Sequence, residues 1–131
     1  MKNIKSYTVF NHFNLAHALK VMNKNGHKCC VIVDSDYRLL GTLSDGDIRK
    51  VILKRSNLEK NIMNFCNKNS KYFIEGNYNY LQVKKAFLKG RYDLIPVLNK
   101  KKIVKKVLLW HSFFGLRKKT DKKYYFFAKK S

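Results

Sequence analysis

A chain of 131 residues, 45% of them hydrophobic and 14% aromatic, has the size of one compact unit or of two subdomains sharing an interface, with enough apolar surface to fold. Its net charge of +21 attracts phosphate-bearing partners at long range, yet the excess is nearly all lysine, so a lysine-coated solvated surface accounts for it as readily as selection for a polyanion. No stretch reaches the roughly 18 apolar residues that span a bilayer, Met1 to Lys5 leads into no signal-peptide core, and Cys29, Cys30 and Cys66 lack a C-x-x-C spacing; neither a transmembrane segment nor a zinc site is indicated, and a cytoplasmic protein with reduced thiols is expected.

The first pattern is helical. Asn11 or Asn14 can cap a helix whose apolar stripe is Leu15, Ala18, Leu19 and Met22, and Asn25-Gly26 supplies its stop. The apolar run Cys29 to Val33, the turn Asp34-Ser35-Asp36 and the segment Arg38 to Leu43 read as strand, tight turn and strand. Ser44-Asp45-Gly46-Asp47 then opens a second helix, with Ile48, Val51 and Ile52 on one side and Arg49, Lys50 and Lys54 on the other. The first unit is thus helix, strand, strand, helix, and a polar link from Arg55 to Asn61 follows it.

The same order begins again near Met63. Lys71 to Ile74 reads as a short strand, Gly76-Asn77 as a turn, and Leu81, Val83, Ala86, Phe87 and Leu88 as a helix ending at Gly90. Leu94 to Leu98, the turn Asn99-Lys100-Lys101 and Ile103 to Leu109 form a second hairpin, which makes an internal repeat with a period of about 65 residues. Trp110 to Leu116 can begin a closing helix. Arg117 to Lys123 is a basic run and Tyr124 to Phe127 an aromatic cluster, and the last dozen residues are expected to attach loosely or to dock elsewhere. The domains expected are therefore 1–60, 61–116 and a basic, aromatic tail 117–131.

The segment richest in chemistry is Leu39-Leu40-Gly41-Thr42-Leu43-Ser44-Asp45-Gly46-Asp47-Ile48-Arg49. Gly41 removes a side chain where backbone and ligand could approach closely. Ser44 offers a hydroxyl and N–H groups at a helix start, where phosphate binds, and the Asp47 carboxylate can accept two hydrogen bonds from a ribose diol. The other reading of the same residues is purely structural: Ser44 caps the helix while Asp45 and Asp47 complement its dipole.

This segment resembles the signature of the cystathionine-beta-synthase (CBS) domain, a strand ending in Gly-x-x-Ser/Thr-x-x-Asp, matched here by Gly41, Ser44 and Asp47. It looks most like the CBS pair found at the N-terminus of bacterial sugar-phosphate nucleotidyltransferases. The resemblance implies an α/β (α+β type) fold of tandem CBS repeats, each a small sheet with two packed helices, joined as a pseudo-two-fold pair that binds adenosine derivatives such as AMP or ATP in clefts between the halves. It implies Ser44 at the phosphate, Asp47 at the ribose, Arg49 as a weaker phosphate partner, and a homodimer. In the second repeat Lys105 to Ser112 supplies no counterpart to the glycine, serine and aspartate, so at most one such site per chain is expected.

Nothing points to catalysis: His12, His17, His27 and His111 are scattered, and neither a Walker nor a dinucleotide loop is present. The expected function is that of a regulatory ligand-sensing module with no obligatory cofactor. Two alternatives are a truncated or stand-alone regulatory part of a sugar-phosphate nucleotidyltransferase, and a nucleic-acid or anionic-surface binder acting through the tail, the less favoured because four consecutive aromatics make no amphipathic face.

Overall fold

A computed structural model describes residues 4–114. The expectations for the basic, aromatic tail 117–131, and for a closing helix as far as Leu116, lie outside the described residues.

Two halves of the same design are present. A 3-10 turn, Ile4–Tyr7, leads into β1 (Thr8–Phe10), α1 (Leu15–Asn25), β2 (Cys29–Val33), β3 (Leu39–Ser44) and α2 (Asp45–Leu53). After a second 3-10 turn, Ile62–Asn64, come β4 (Phe73–Ile74), α3 (Tyr80–Gly90), β5 (Leu94–Leu98), β6 (Val104–Leu109) and α4 (Trp110–Phe114). Each half holds a three-stranded sheet in which a first short strand runs parallel to the second, and the second antiparallel to the third. This is the tandem α/β architecture expected, with two departures. The three-residue β1 was not foreseen, because Thr8–Phe10 is too short to display an alternation, and the strand expected from Lys71 narrows to Phe73–Ile74.

Local chemistry explains the repetition. Asn14, and not Asn11, caps α1 by accepting from the His17 N–H at 2.9 Å, and Asn79 caps α3 by accepting from the Gln82 N–H at 2.8 Å. Gly26 and Arg91 end these helices in the left-handed region, with φ of 75° and 56°. In the hairpins, Asp34 Oδ1 accepts from the N–H groups of Asp36 and Arg38, and Asn99 Oδ1 from those of Lys101 and Ile103, the side-chain turn that suits Asp and Asn to this position. Both hairpins carry a register irregularity at the same place, between Ile32 and Val33 and between Val97 and Leu98.

The two central strands read as unbroken apolar runs because both of their faces are covered. In β2, Cys30 and Ile32 face the helices of the first half, with Leu15, Ala18, Ile48 and Val51; Cys29, Val31 and Val33 face the other sheet, with Tyr7, Leu94, Leu98, Val104 and Leu109. The sheets therefore pack on each other through one shared core while each keeps a core under its own helices. At the hairpins the halves also pair directly: the Leu39 N–H donates to Lys102 O at 3.0 Å and the Val104 N–H to Tyr37 O at 2.8 Å, around an Arg38–Ile103 bridge. Corresponding residues of two repeats pair with each other where a pseudo-two-fold axis runs, and the axis lies here.

The connection between halves is stitched down. Lys60 O and Leu58 O accept from the first N–H groups of α1, the Ile62 N–H donates to Phe13 O, and Ile62 is fully buried in the first core beside Met63, Phe65 and Cys66. The chain then crosses the outer edge of β3, where Thr42 and Asn67 exchange two backbone bonds of 3.0 and 2.8 Å. Gly41 sits beneath that crossing. A Cβ there would lie 2.8 Å from Asn67 O and 3.0 Å from Cys66 Sγ, closer than packed atoms tolerate. No described helix is long and apolar enough to cross a membrane.

Because the atom nearest that added methyl is backbone and cannot swing aside, we expect Gly41→Ala to destabilise the protein by about 1–3 kcal/mol in urea unfolding. Lys106→Ala, at the equivalent and exposed position of β6, should change stability by less than about 0.5 kcal/mol; equal effects would show that the crossing chain does not bear on Gly41.

Candidate functional site

β3 ends at Ser44 and α2 begins at Asp45, and the turn between them is held by a reciprocal capping box. Ser44 Oγ accepts from the Asp47 N–H at 3.2 Å, while Asp47 Oδ2 accepts from the Ser44 N–H at 2.9 Å and from the Ser44 hydroxyl at 3.0 Å. The Asp45 N–H donates to Lys28 O at 2.8 Å, tying the turn to the start of β2. The structural reading of the motif is thus realised. It does not exhaust the residues, because both bonds to Asp47 use Oδ2 and, among the described residues, no donor meets Oδ1.

Ser44 and Asp47 open onto a common cleft. Its volume is about 290 Å³, and it lies between the halves: Cys29, Thr42, Ser44, Asp47 and Asn67 on one side, Arg91, Tyr92, Asp93 and Leu94 on the other. The two remaining motif residues stand elsewhere. Gly41 serves the chain crossing at Asn67, and Arg49 is two-thirds exposed on the outside of α2, its guanidinium paired with Asp45 one turn earlier.

The second wall is what sequence reasoning missed. Arg91-Tyr92-Asp93 follows the end of α3 as Gly26-His27-Lys28 follows the end of α1, and the Trp110 N–H bonds to Asp93 O at 3.1 Å as the Asp45 N–H bonds to Lys28 O. The signal available was the repeat itself: the residues between helix stop and central strand in one half face the motif of the other. Gly90 belongs to this wall, since a Cβ there would stand 2.1 Å from the Tyr92 ring.

Apolar groups occupy the counterpart of the motif in the second half. A hollow of about 290 Å³ is lined there by Lys106, Val107, Leu109, His111, Ser112 and Phe113, with Leu109 and Ser112 where the first half has Ser44 and Asp47. His111 stacks on His27 across the two halves, ring centroids 5.1 Å apart. A larger hollow, about 480 Å³, opens at the start of α1 among His12, Phe13, His17, Lys20 and Glu59. Size does not make it the better site: Lys60 O, Leu58 O and Asn14 Oδ1 already take the N–H groups of that helix end, and His17 lies flat on Phe13 at 3.9 Å. No group of three or more metal-ligating side chains exists among the described residues.

Burial governs the thiols. The Cys29 thiol, at the floor of the cleft, is pushed up to about 12 by burial, with the Asp93 and Asp47 carboxylates adding to it. Burial likewise pushes up Cys30, with the neighbouring Cys29 and Cys66 adding, and half-burial raises Cys66. At neutral pH these are packing groups, not nucleophiles.

Residues 2–54 match the sequence family described as the CBS domain. No curated protein matches the chain. Among solved structures, the chain is similar to a CBS domain protein from Pyrobaculum aerophilum complexed with AMP, at 14% identity and a TM-score of 0.74, over 89% of this chain and 93% of that one. It is similar to CBSX2 in complex with AMP, at 13% identity and a TM-score of 0.72, over 82% and 83% of the two chains. A CBS domain pair/ACT domain protein from Thermotoga maritima follows, at 18% identity and a TM-score of 0.67, over 87% and 93%. The fold is that of a CBS domain pair.

Two outcomes are expected of the turn and the thiols. Ser44→Ala removes a helix cap and should lower stability by about 1 kcal/mol, read from the denaturation midpoint. At pH 8 iodoacetamide should leave Cys29 and Cys30 unmodified in the folded protein and alkylate all three cysteines in denaturant, as mass spectrometry would record, because a raised thiol pKa keeps the thiolate scarce. Rapid labelling of Cys29 in the native state would mean that the cleft floor is open to solvent.

Proposed function

We propose that this CBS domain pair is a regulatory module, not a catalyst, which senses an adenine nucleotide bound in the cleft between its halves. One observation carries the reading: Ser44 and Asp47 of the β3–α2 turn and Arg91 and Tyr92 of the other half line one cleft of about 290 Å³, near the lower end of small-ligand pockets. Asp47 Oδ1 is the acceptor for the ribose hydroxyls, and Ser44 is a neutral donor toward the phosphate end once its hydrogen leaves Asp47. Tyr92 offers a ring edge for the base. Two relatives of the same fold hold AMP, which supports the choice of ligand class.

Sensing follows from where the walls come from. A ligand touching both halves binds best at one spacing between them, and a ligand shifts an equilibrium only through such unequal affinity. A second copy of the chain is the natural partner for the shift. Ile52 and Leu53 on α2, 54% and 76% exposed, give a homodimer an apolar contact, and α2 begins at the site itself.

Thermal melting against a panel of nucleotides tests this reading. AMP at millimolar concentration is expected to raise the melting temperature, Asp47→Ala to abolish the rise, and calorimetry to find one site per chain. An unchanged melt across the whole panel, or two equivalent sites, would count against it. Sedimentation with and without AMP reports on the dimer.

A further inference from the structure

Building on the nucleotide reading of this cleft, we propose that Arg91 is its phosphate-recognising residue and limits it to nucleoside monophosphates. Ser44 cannot fill that role alone. Its hydroxyl hydrogen is already given to Asp47 Oδ2 at 3.0 Å, so a phosphate arriving there meets a committed donor and a neighbouring carboxylate. A counter-charge has to come from elsewhere in the lining.

Arg91 is the only cation lining the cleft among the described residues, against the carboxylates of Asp47 and Asp93. Among the described residues its guanidinium makes no ion pair, whereas Arg49, beside the motif in sequence, is spent on Asp45 and Arg38 on Asp34 and Asp36. Arg91 holds φ 56° at the end of α3, where the first half places Gly26 at φ 75°. Glycine takes that geometry freely and arginine at a cost; Tyr37, Arg55 and Lys102 share it, and of the four only Arg91 lines the cleft. Arg91 lines the cleft from the place where the other half has no side chain at all.

Selectivity follows from the charge count. One guanidinium matches one phosphate group, and a guanidinium binds such a group through two parallel hydrogen bonds. Further phosphates would find, among the described residues, no second cation in the lining and two carboxylates nearby, in a volume of about 290 Å³.

Isothermal titration of the full chain with adenosine, AMP and ATP, without divalent cations, tests the assignment, alongside Arg91→Gly and Arg91→Asn, two residues that accept this backbone geometry. Wild type is expected to bind AMP at least about tenfold more tightly than adenosine, and ATP more weakly than AMP. Both variants should bind adenosine as wild type does and AMP no better than adenosine. Arg91→Gly should melt no lower than wild type, so that a lost preference is not a lost fold. If wild type binds neither adenosine nor AMP, the nucleotide reading fails and this assignment with it. If AMP binds but the variants keep its tenfold advantage, or ATP binds most tightly, the cleft reading stands and the role of Arg91 is overturned.

Discussion

The molecule depends on the apolar seam between its two sheets. Tyr7, Cys29, Val31 and Val33 from one half meet Leu94, Leu98, Val104 and Leu109 from the other, and nearly all are closed to solvent. A sheet of three short strands has one face to offer its own helices and cannot leave the other wet. Each half therefore completes the other, and the site inherits this dependence, since the cleft exists only where the edges of the two sheets' helical turns come face to face. The bridge between Arg38 and Ile103 fixes the register of that meeting.

The asymmetry between the halves has a mechanical origin at one strand edge. The connecting chain lies over β3 and exchanges backbone bonds with Thr42, which leaves no room for a side chain at Gly41. On β6 no described chain lies over the equivalent edge, and lysines at 105 and 106 stand there, charges of the sort that keep an open strand edge from pairing with another molecule. With the glycine's reason gone, Leu109 and Ser112 stand in place of the serine and aspartate of the first turn. That is why one half presents a serine and a carboxylate at its turn while the other presents Val107, Leu109 and Phe113.

Much of this was legible in the sequence. The helix stripe of Leu15, Ala18 and Met22, the two hairpins with their Asp34 and Asn99 turns, and the capping pattern at Ser44 are local signals, and local physics sets them. The repeat could be read because the same signals recur in the same order. What could not be read depends on tertiary packing. Thr8–Phe10 is a strand only because β2 lies beside it, and Gly41 looked like a residue that makes way for a ligand because the chain crossing it comes from Cys66 and Asn67, far along the sequence. Arg49 drew attention by its nearness to the motif, whereas Arg91, Tyr92 and Asp93 were passed over. They reach the motif only when the halves dock.

The stitched connection has a bearing on how such a module could pass a signal onward. Bonds from α1 to Lys60 and Leu58, from Ile62 to Phe13, and between Thr42 and Asn67 bind the connection to the first half as far as Asn67, which leaves only the short stretch 68–72 before β4. Motion that preserves both the seam and these bonds is a small sliding of one sheet's face along the other. In that mode a ligand wedged at the rim acts as a chock, and what changes on the outside is the relative height of α2 and α3.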